Sequence, residues 1–487
     1  MVDVEWANMQ SGALYDADIS GLEITGLAAD SRKAAPGFLF AALQGASADG
    51  RRYIADAVAR GAVAVLAAEG TRLDGTAKVA LFTHANPRRT YAQLAARFHL
   101  PQPGTVVAVT GTNGKSSTAE FVRQIWQAAG LPAATLGTLG LVAPGRVRTG
   151  GLTTPDPADL HADLKTLAED GVDHVAIEAS SHGLDQYRLD GLTVAAAAFT
   201  NLTRDHLDYH GSMDRYFEAK ARLFAELLVP GGAAVVNLDD PYGAEIAARA
   251  RTHGARLFGY GRNGETLRLI ETRPLPHGQA LTLEVQGSRV ETLLPLIGEF
   301  QCMNALAALG LALGTGVALA DAVPVLATLE GARGRLEHAA SLPNGASIFV
   351  DYAHTPDALE RVLQALRPHT DGRLVVVFGC GGDRDKGKRP LMGEIAVRLA
   401  DVAIVTDDNP RGEDAAAIRR EILAGAQGSR EISDRETAIF DTISELRSDD
   451  ILVIAGKGHE QGQIVGTQVF PFDDIEVARR AAKEVRS

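Results

Sequence analysis

The segment Thr110-Gly-Thr-Asn-Gly-Lys-Ser-Ser117 carries the strongest chemical signal in the chain. It lies between the strand-like run VVAVT and the helical run AEFVRQIWQAAG. In that context the backbone N–H groups of Gly111, Thr112, Asn113 and Gly114 approach phosphate oxygens, and the helix N-terminus adds positive potential. Lys115 supplies a charge for the outer phosphates, Ser116 offers a hydroxyl to Mg²⁺, and Ser117 completes the motif. Val109 stands where the first glycine of the strict pattern G-x-x-x-x-G-K-[ST] belongs. The competing reading is a glycine turn capped by a lysine; the flanking strand and helix put phosphate binding ahead.

Other polar residues fall at the ends of strand-like runs. Glu178 closes HVAIE, and His206 lies in the segment NLTRDHLD, which follows TVAAAAF. Open α/β sheets place ligands at such strand ends. Mg²⁺ prefers oxygen donors, with an occasional imidazole, so Glu178 and His206 suit a nucleotide-bound metal. Taken singly, each is more often a solvated acid or a structural histidine. The run Ala179-Ser-Ser-His-Gly183 approaches the hydrolase elbow G-x-S-x-G with Ser181 as nucleophile. Ala179 replaces its first glycine, and a phosphate loop has no role in such a hydrolase, so this alternative ranks low. Further on, Gly379 and Gly381 begin a dinucleotide fingerprint, but Arg384 occupies its third glycine position and disfavours NAD. Arg384, Lys386, Lys388 and Arg389 make that loop an anion-binding candidate instead. The loops Asp408-Asn409-Pro410-Arg411 and Gly456-Lys-Gly-His-Glu460 also follow strand-like runs. Three polar loops on one sheet edge point to a small ligand bearing both acid and amine groups.

The elements that must position these residues alternate. Segments HVAIE, TVAAAAF, AAVVNLD, SIFVDY, LVVVFG, VAIVTD and ILVIAG read as buried strands, with helical patterns between them, which predicts βαβ units and a mostly parallel sheet. TLRLIET, LTLEV and ETLLPL lack intervening helices and read as an antiparallel addition. Pro101, Pro103 and Gly104 mark a linker. The 487 residues predict about three domains. Hydrophobic residues at 46% and charged residues at 22% are those of a globular protein and exclude a coiled coil, collagen or long disorder. With 48 basic against 61 acidic residues the net charge is −13, which argues against a nucleic-acid partner. Two cysteines, Cys302 and Cys380, are too few for a disulfide framework and favour a reducing, cytoplasmic setting. The acidic start MVDVEWANMQ is no secretory signal, and no apolar run reaches the roughly 20 residues of a membrane span.

Together the motifs resemble the Mur ligases, ATP-dependent amide-bond formers of peptidoglycan precursor synthesis. The resemblance runs through DSR (Asp30 to Arg32), ADGRRYI (from Ala48), TGTNGKSS, TTPDP (from Thr153), EASSHGLDQYR (from Glu178), NLTRDHLDYHG, and YFEAK ending at Lys220. It continues through Asn304, GRLE (from Gly334), VDYAHTPDAL, GGDRDKGKRP, DNPR and GKGHE. The family uses the shortened phosphate loop. It implies an α/β fold of three domains: residues 1–103 binding UDP, a central P-loop ATPase at 104–333 with a mostly parallel sheet, and a Rossmann-like, doubly wound amino-acid domain at 334–487.

The resemblance also implies roles. Ser31 and Ala48 contact the UDP moiety, and Thr153, Thr154, Ser180, Gln186 and Arg188 hold the muramoyl peptide. Asn304 meets adenine, Asp351 the ribose and Arg335 the γ-phosphate. Ser116, Glu178, His206 and a carbamylated Lys220 form the metal shell; by itself YFEAK reads as a solvated lysine. The substrates implied are ATP, UDP-N-acetylmuramoyl-L-alanyl-D-glutamate and an amino acid, with Mg²⁺ as cofactor and a monomer as the working form. Arg411 and Arg389 would grip the second carboxylate of meso-diaminopimelate, with Asp408, Asn409, Pro410, Gly456 and Glu460 around its amino end. Lysine-adding relatives are expected to lack that arginine, so diaminopimelate is the expected amine. Two alternatives stay open: another amide ligase of the superfamily, such as a folylpolyglutamate synthase, and a nucleotide-binding interaction protein without chemistry.

Overall fold

The structure is a computed structural model and describes residues 22–45, 48–73 and 79–485. The acidic N-terminal segment on which the absence of a secretory signal was argued lies outside them. Among the described residues there are four sheets, three large ones and a two-stranded hairpin of Gly462–Val465 with Gln468–Pro471. The first is four-stranded and parallel, ordered Gly26–Ala28, Phe38–Ala41, Ala64–Ala68 and Ala80–His84. Its strands are almost wholly buried, which their Ala, Leu and Phe content permits. Helix Pro87–Phe98 covers it, begun by Asn86, whose side chain accepts from the Arg89 N–H, and by Pro87 in the first turn.

The second sheet has eleven strands. Its centre is parallel and runs Arg256–Gly261, Leu228–Asn237, Val194–Phe199, Thr105–Thr110, His174–Glu178, Ala133–Gly137. Buried on both faces, these strands read as continuous apolar runs. One end carries the expected antiparallel addition, Leu267–Leu275, Gly278–Val285 and Ser288–Leu294. The other end carries a second antiparallel wing, Gly140–Ala143 and Arg146–Arg148, that the sequence reading did not anticipate. Helices Lys115–Ala128 and Glu299–Gly314 cover one face around Phe121, Trp126 and Leu309. Helices Pro157–Glu169 and Met213–Arg222 cover the other around Leu164, Phe217 and Phe224.

The third sheet is ordered Glu337–Ser341, Ser347–Asp351, Ile451–Ala455, Leu374–Phe378, Val402–Val405, Arg430–Glu431, and only its first strand is antiparallel. Strand order jumps between Ser347–Asp351 and Leu374–Phe378, so the connecting loops part at the carboxyl edge, where doubly wound sheets bind ligands. Tyr352, the Gly379–Lys388 loop, Asp408–Arg411 and Gly456–Glu460 all leave that edge. Among the described residues no helix is long and apolar enough to cross a membrane.

Candidate active site

The phosphate loop forms because strand Thr105–Thr110 is sealed in the central sheet and helix Lys115–Ala128 starts one tight turn later. Gly114 takes φ +88°, and a Cβ there would lie 2.3 Å from Asn304 Oδ1, so only glycine serves. The loop is clamped by the next strand's exit. Thr112 N–H donates to the Asn201 carbonyl (2.8 Å), Asn113 N–H to Asn201 Oδ1 (3.0 Å), and Thr200 Oγ1 to the Asn113 carbonyl (2.6 Å). Lys115 Nζ donates to the Gly111 and Thr112 carbonyls, each at 2.9 Å. Burial lowers its pKa, against the pull of Glu178.

Lys220 is not solvated. It is 1% exposed, its Nζ donates to the Gly111 carbonyl at 2.8 Å, and it lies 4.6 Å from the Tyr216 ring centroid. Burial first, and Lys115 second, push its pKa well below the ordinary lysine value. Glu178 is buried, with Oε1 accepting from Thr138 N–H (2.9 Å) and Oε2 from Thr138 Oγ1 (3.1 Å). His206 is half-exposed, adopts φ +52° and packs edge-on to His182 at 4.9 Å between ring centroids. Among the described residues no three His, Cys, Asp or Glu side chains converge as a metal-binding group. A cation here would meet the Ser116 hydroxyl and the Glu178 carboxylate, oxygen donors of the kind Mg²⁺ prefers, with the His206 imidazole as an occasional partner.

Beside this centre the structure brings together Thr154, Ser180, Gln186 and Arg188. Thr154 Oγ1 donates to the Glu178 carbonyl (2.8 Å) and meets Ser180 Oγ (3.0 Å). Arg188 donates to the Thr154 carbonyl (2.7 Å) and to Gln186 Oε1 (2.8 Å). Thr153 joins through Thr138 Oγ1 at 2.9 Å. An open cleft of about 710 Å³ lies between the first sheet and the central one, lined among others by Asp30, Lys33, Arg148, Gly151 and Asp159. Ser31 is buried, and its neighbours Asp30 and Lys33 line this cleft. Ala48 is half-buried.

At the end of strand Ser347–Asp351, the Asp351 carboxylate accepts from Leu336 N–H and Ala353 N–H, both at 2.7 Å, and burial raises its pKa. The Arg335 carbonyl accepts from Gln301 Nε2 (3.1 Å), and Gln301 Oε1 in turn accepts from Asn304 Nδ2 (3.1 Å). Thus Asn304 and Arg335, far apart in sequence, belong to one chain of contacts.

The C-terminal loops meet around a buried lysine. Lys457 Nζ donates to Asn409 Oδ1 (2.8 Å) and the Gly462 carbonyl (2.7 Å), with Asp408 3.6 Å and Glu460 3.8 Å away. Asn409 Nδ2 donates to Glu460 Oε2 at 2.8 Å. Gly456, at φ +116°, lies against Asp408. Arg411 adopts φ +50°, held by its N–H to the Ile464 carbonyl (3.0 Å), and its Nη1 donates to the Gly382 carbonyl (3.0 Å). Pro410 is buried beside it. Arg389 is placed otherwise than expected. It is fully buried, and its guanidinium meets Glu413 (2.9 and 3.0 Å), Glu421 (2.8 Å) and the Gly381 carbonyl (3.3 Å). Engaged on two carboxylates it braces the loop, while its buried Nε has no hydrogen-bond partner among the described residues. Arg384 is exposed, and its hydrogen bond among the described residues stays in its own turn, to the Asp383 carbonyl at 3.1 Å.

Three family models match the chain in order: the Mur ligase family catalytic domain at residues 23–99, the Mur ligase middle domain at 109–312, and the Mur ligase glutamate ligase domain at 334–458. The chain belongs to the Mur ligase family. It is 53% identical to the UDP-N-acetylmuramoyl-L-alanyl-D-glutamate–2,6-diaminopimelate ligase of Agrobacterium fabrum, over 96% of this chain and 95% of that protein. It is 54% identical to the Bradyrhizobium diazoefficiens ligase of the same name, over 96% of this chain and 97% of that one. A solved structure bearing that name superimposes with a TM-score of 0.74 at 34% identity, covering 97% of both chains.

In this Mur ligase several working residues gave no sequence signal of their own. Thr200 and Asn201, which clamp the phosphate loop, read only as the start of a loop. Thr138, which holds Glu178, is distant in sequence from it, and Lys457, though inside the Gly456–Glu460 loop, reaches across to Asn409, 48 residues away.

Proposed function

We propose that this chain is an ADP-forming ligase that adds meso-2,6-diaminopimelate to the D-glutamyl γ-carboxylate of UDP-N-acetylmuramoyl-L-alanyl-D-glutamate. The observation that carries the reading is the near full-length identity to ligases of that name. The donor cleft, the phosphate loop and the loops around Arg411 support it. The N-terminal sheet would hold the uridine nucleotide, the central one ATP, and the C-terminal one the amino acid.

In this reading Thr153, Thr154, Ser180, Gln186 and Arg188 orient the muramoyl peptide so that its carboxylate faces the phosphate loop. Gly111 to Ser117 cradle the phosphates, while Lys115 and Arg335 screen the repulsion between the attacking carboxylate and the γ-phosphate. Asn304 meets adenine and Asp351 the ribose. The acyl phosphate so formed gives its carbon to the neutral amine, and phosphate leaves. Ser116, Glu178, His206 and Lys220 would hold Mg²⁺, which neutralises phosphate charge when bound. Lys220, buried, forming no ion pair among the described residues and with its pKa pushed down by burial, is suited to carbamylation, which turns a cationic stem into an oxygen donor.

Asp408, Asn409, Gly456 and Glu460 would receive the amino end of diaminopimelate. Arg411, with the unpartnered Nε of Arg389 behind it, would take its far carboxylate. Charged hydrogen bonds contribute about 1.5–3 kcal/mol each, enough for two to separate diaminopimelate from lysine by a few orders of magnitude. The test is phosphate release with ATP, Mg²⁺ and the UDP-muramoyl dipeptide, offering either amine. Release with diaminopimelate and not with lysine is expected; equal release with both would overturn the assignment.

A further inference from the structure

We infer that Tyr352 is a positioning residue whose ring sets Arg335 and the Gly456–Glu460 loop together, so that the phosphate side and the amine side of the centre share one restraint. This rests on the proposed reading, in which Arg335 faces the γ-phosphate and that loop the amine. Three observations carry it.

First, the Arg335 guanidinium carbon lies 4.7 Å from the Tyr352 ring centroid. Among the described residues no carboxylate forms an ion pair with Arg335, and its buried Nε has no hydrogen-bond partner. The aromatic face is what orients this cation. Second, the His459 ring lies 5.0 Å from the same ring, and the His354 ring 4.6 Å, with His354 Nδ1 donating to the Tyr352 carbonyl at 2.9 Å. His459 Nδ1 is likewise buried without a partner. Two unpartnered buried nitrogens around one ring mark polar positions for a bound group to complete. Third, no slack exists between hinge, ring and loop. A Cβ on Gly334, at φ +64°, would lie 2.2 Å from His459 N, and one on Gly458 would lie 2.7 Å from Tyr352 Cβ. A displacement of the loop therefore reaches Arg335 through the ring.

The experiment uses the full chain with ATP, Mg²⁺ and the UDP-muramoyl dipeptide. It measures kcat and each KM, and, with the amine omitted, positional isotope scrambling in ATP as a readout of reversible phosphoryl transfer. Tyr352→Leu is expected to slow both kcat and scrambling by about tenfold, the order a lost cation–π contact allows, while the KM of the UDP-muramoyl dipeptide holds. It is also expected to raise the KM of diaminopimelate severalfold. Tyr352→Phe, which keeps the ring, is expected to restore both rates. His459→Leu leaves Tyr352 in place and is expected to slow scrambling severalfold, even though no amine is present. Parental scrambling in Tyr352→Leu or in His459→Leu, or equal impairment of the Phe and Leu variants, would overturn the inference. Absence of diaminopimelate-dependent phosphate release from the parent chain would instead overturn the ligase reading beneath it.

Discussion

The first and central sheets meet through buried and exposed ion pairs beside neutral polar contacts, whereas the central and C-terminal sheets meet mainly through neutral rings and backbone, with one ion pair between Arg333 and Asp473. Across the first seam Lys33 pairs with Asp159 (2.9 Å), Arg89 with the buried Asp190 (2.9 Å), Tyr91 OH bonds Asp156 (3.1 Å) and Gln102 meets the buried His161 (2.7 Å). Across the second, His369 accepts from Gly298 N–H (3.3 Å) and donates to the Leu275 carbonyl (2.9 Å), and Ser347 Oγ meets His277 Nδ1 (3.3 Å). The Gln301–Arg335 bond and the Gly334 hinge complete that seam. Directional ion pairs on one side fix the donor cleft in register. Mainly neutral contacts on the other, with the single Arg333–Asp473 pair, leave that joint the less firmly fixed of the two.

Breaking the first seam at its buried carboxylate has the largest expected effect. Asp190→Ala leaves Arg222 and Arg89 short of a partner and should cost about 3 kcal/mol of stability, read as a lowered denaturant midpoint. A change below half of that would place the seam's strength elsewhere. Gly334→Ala strikes the second seam: strain at φ +64° and the close approach to His459 should lower turnover about tenfold, with ATP affinity kept. Unchanged turnover would mean that the hinge does not constrain catalysis.

The pH response sharpens the contrast. Burial lowers the His161 pKa from 6.5 to about 3. The unfolded chain takes up this proton first, so stability from the neutral ring is complete above about 6.5 and declines as pH falls towards 3. The loss should reach roughly 2 kcal/mol by about pH 5, and His161→Gln should flatten the curve over that range. His369→Leu removes two neutral hydrogen bonds and should cost about 1–2 kcal/mol, with a larger solution radius of gyration if the joint opens. Lys33→Ala, at an exposed pair, should cost at most about 0.5 kcal/mol and less in high salt.

Much of the centre was legible because strands and loops announce themselves locally. Thr110–Ser117 and the two wholly buried doubly wound patterns needed only neighbouring residues to be read. Lys220 was not legible: its helix reads as amphipathic, and only the packing of Tyr216 and the Gly111 carbonyl shows it to be buried. Arg389 and Arg384 stand five residues apart in one charged loop. Which one faces outward depends on Glu413 and Glu421, which a reading confined to the loop does not weigh. The antiparallel wing at Gly140–Arg148 was missed because two very short strands, one of them exposed, leave little alternation to read.

The central sheet does more than carry the phosphate loop. One wing, through Gly140 and Arg148, walls the donor cleft, and the opposite wing, through Leu275 and His277, receives the C-terminal sheet. It is a single girder with a socket at each end, so the distance between acid and amine is a property of eleven bonded strands. A small molecule wedged beneath either wing would throw the two reactants out of alignment while leaving the nucleotide's own berth untouched.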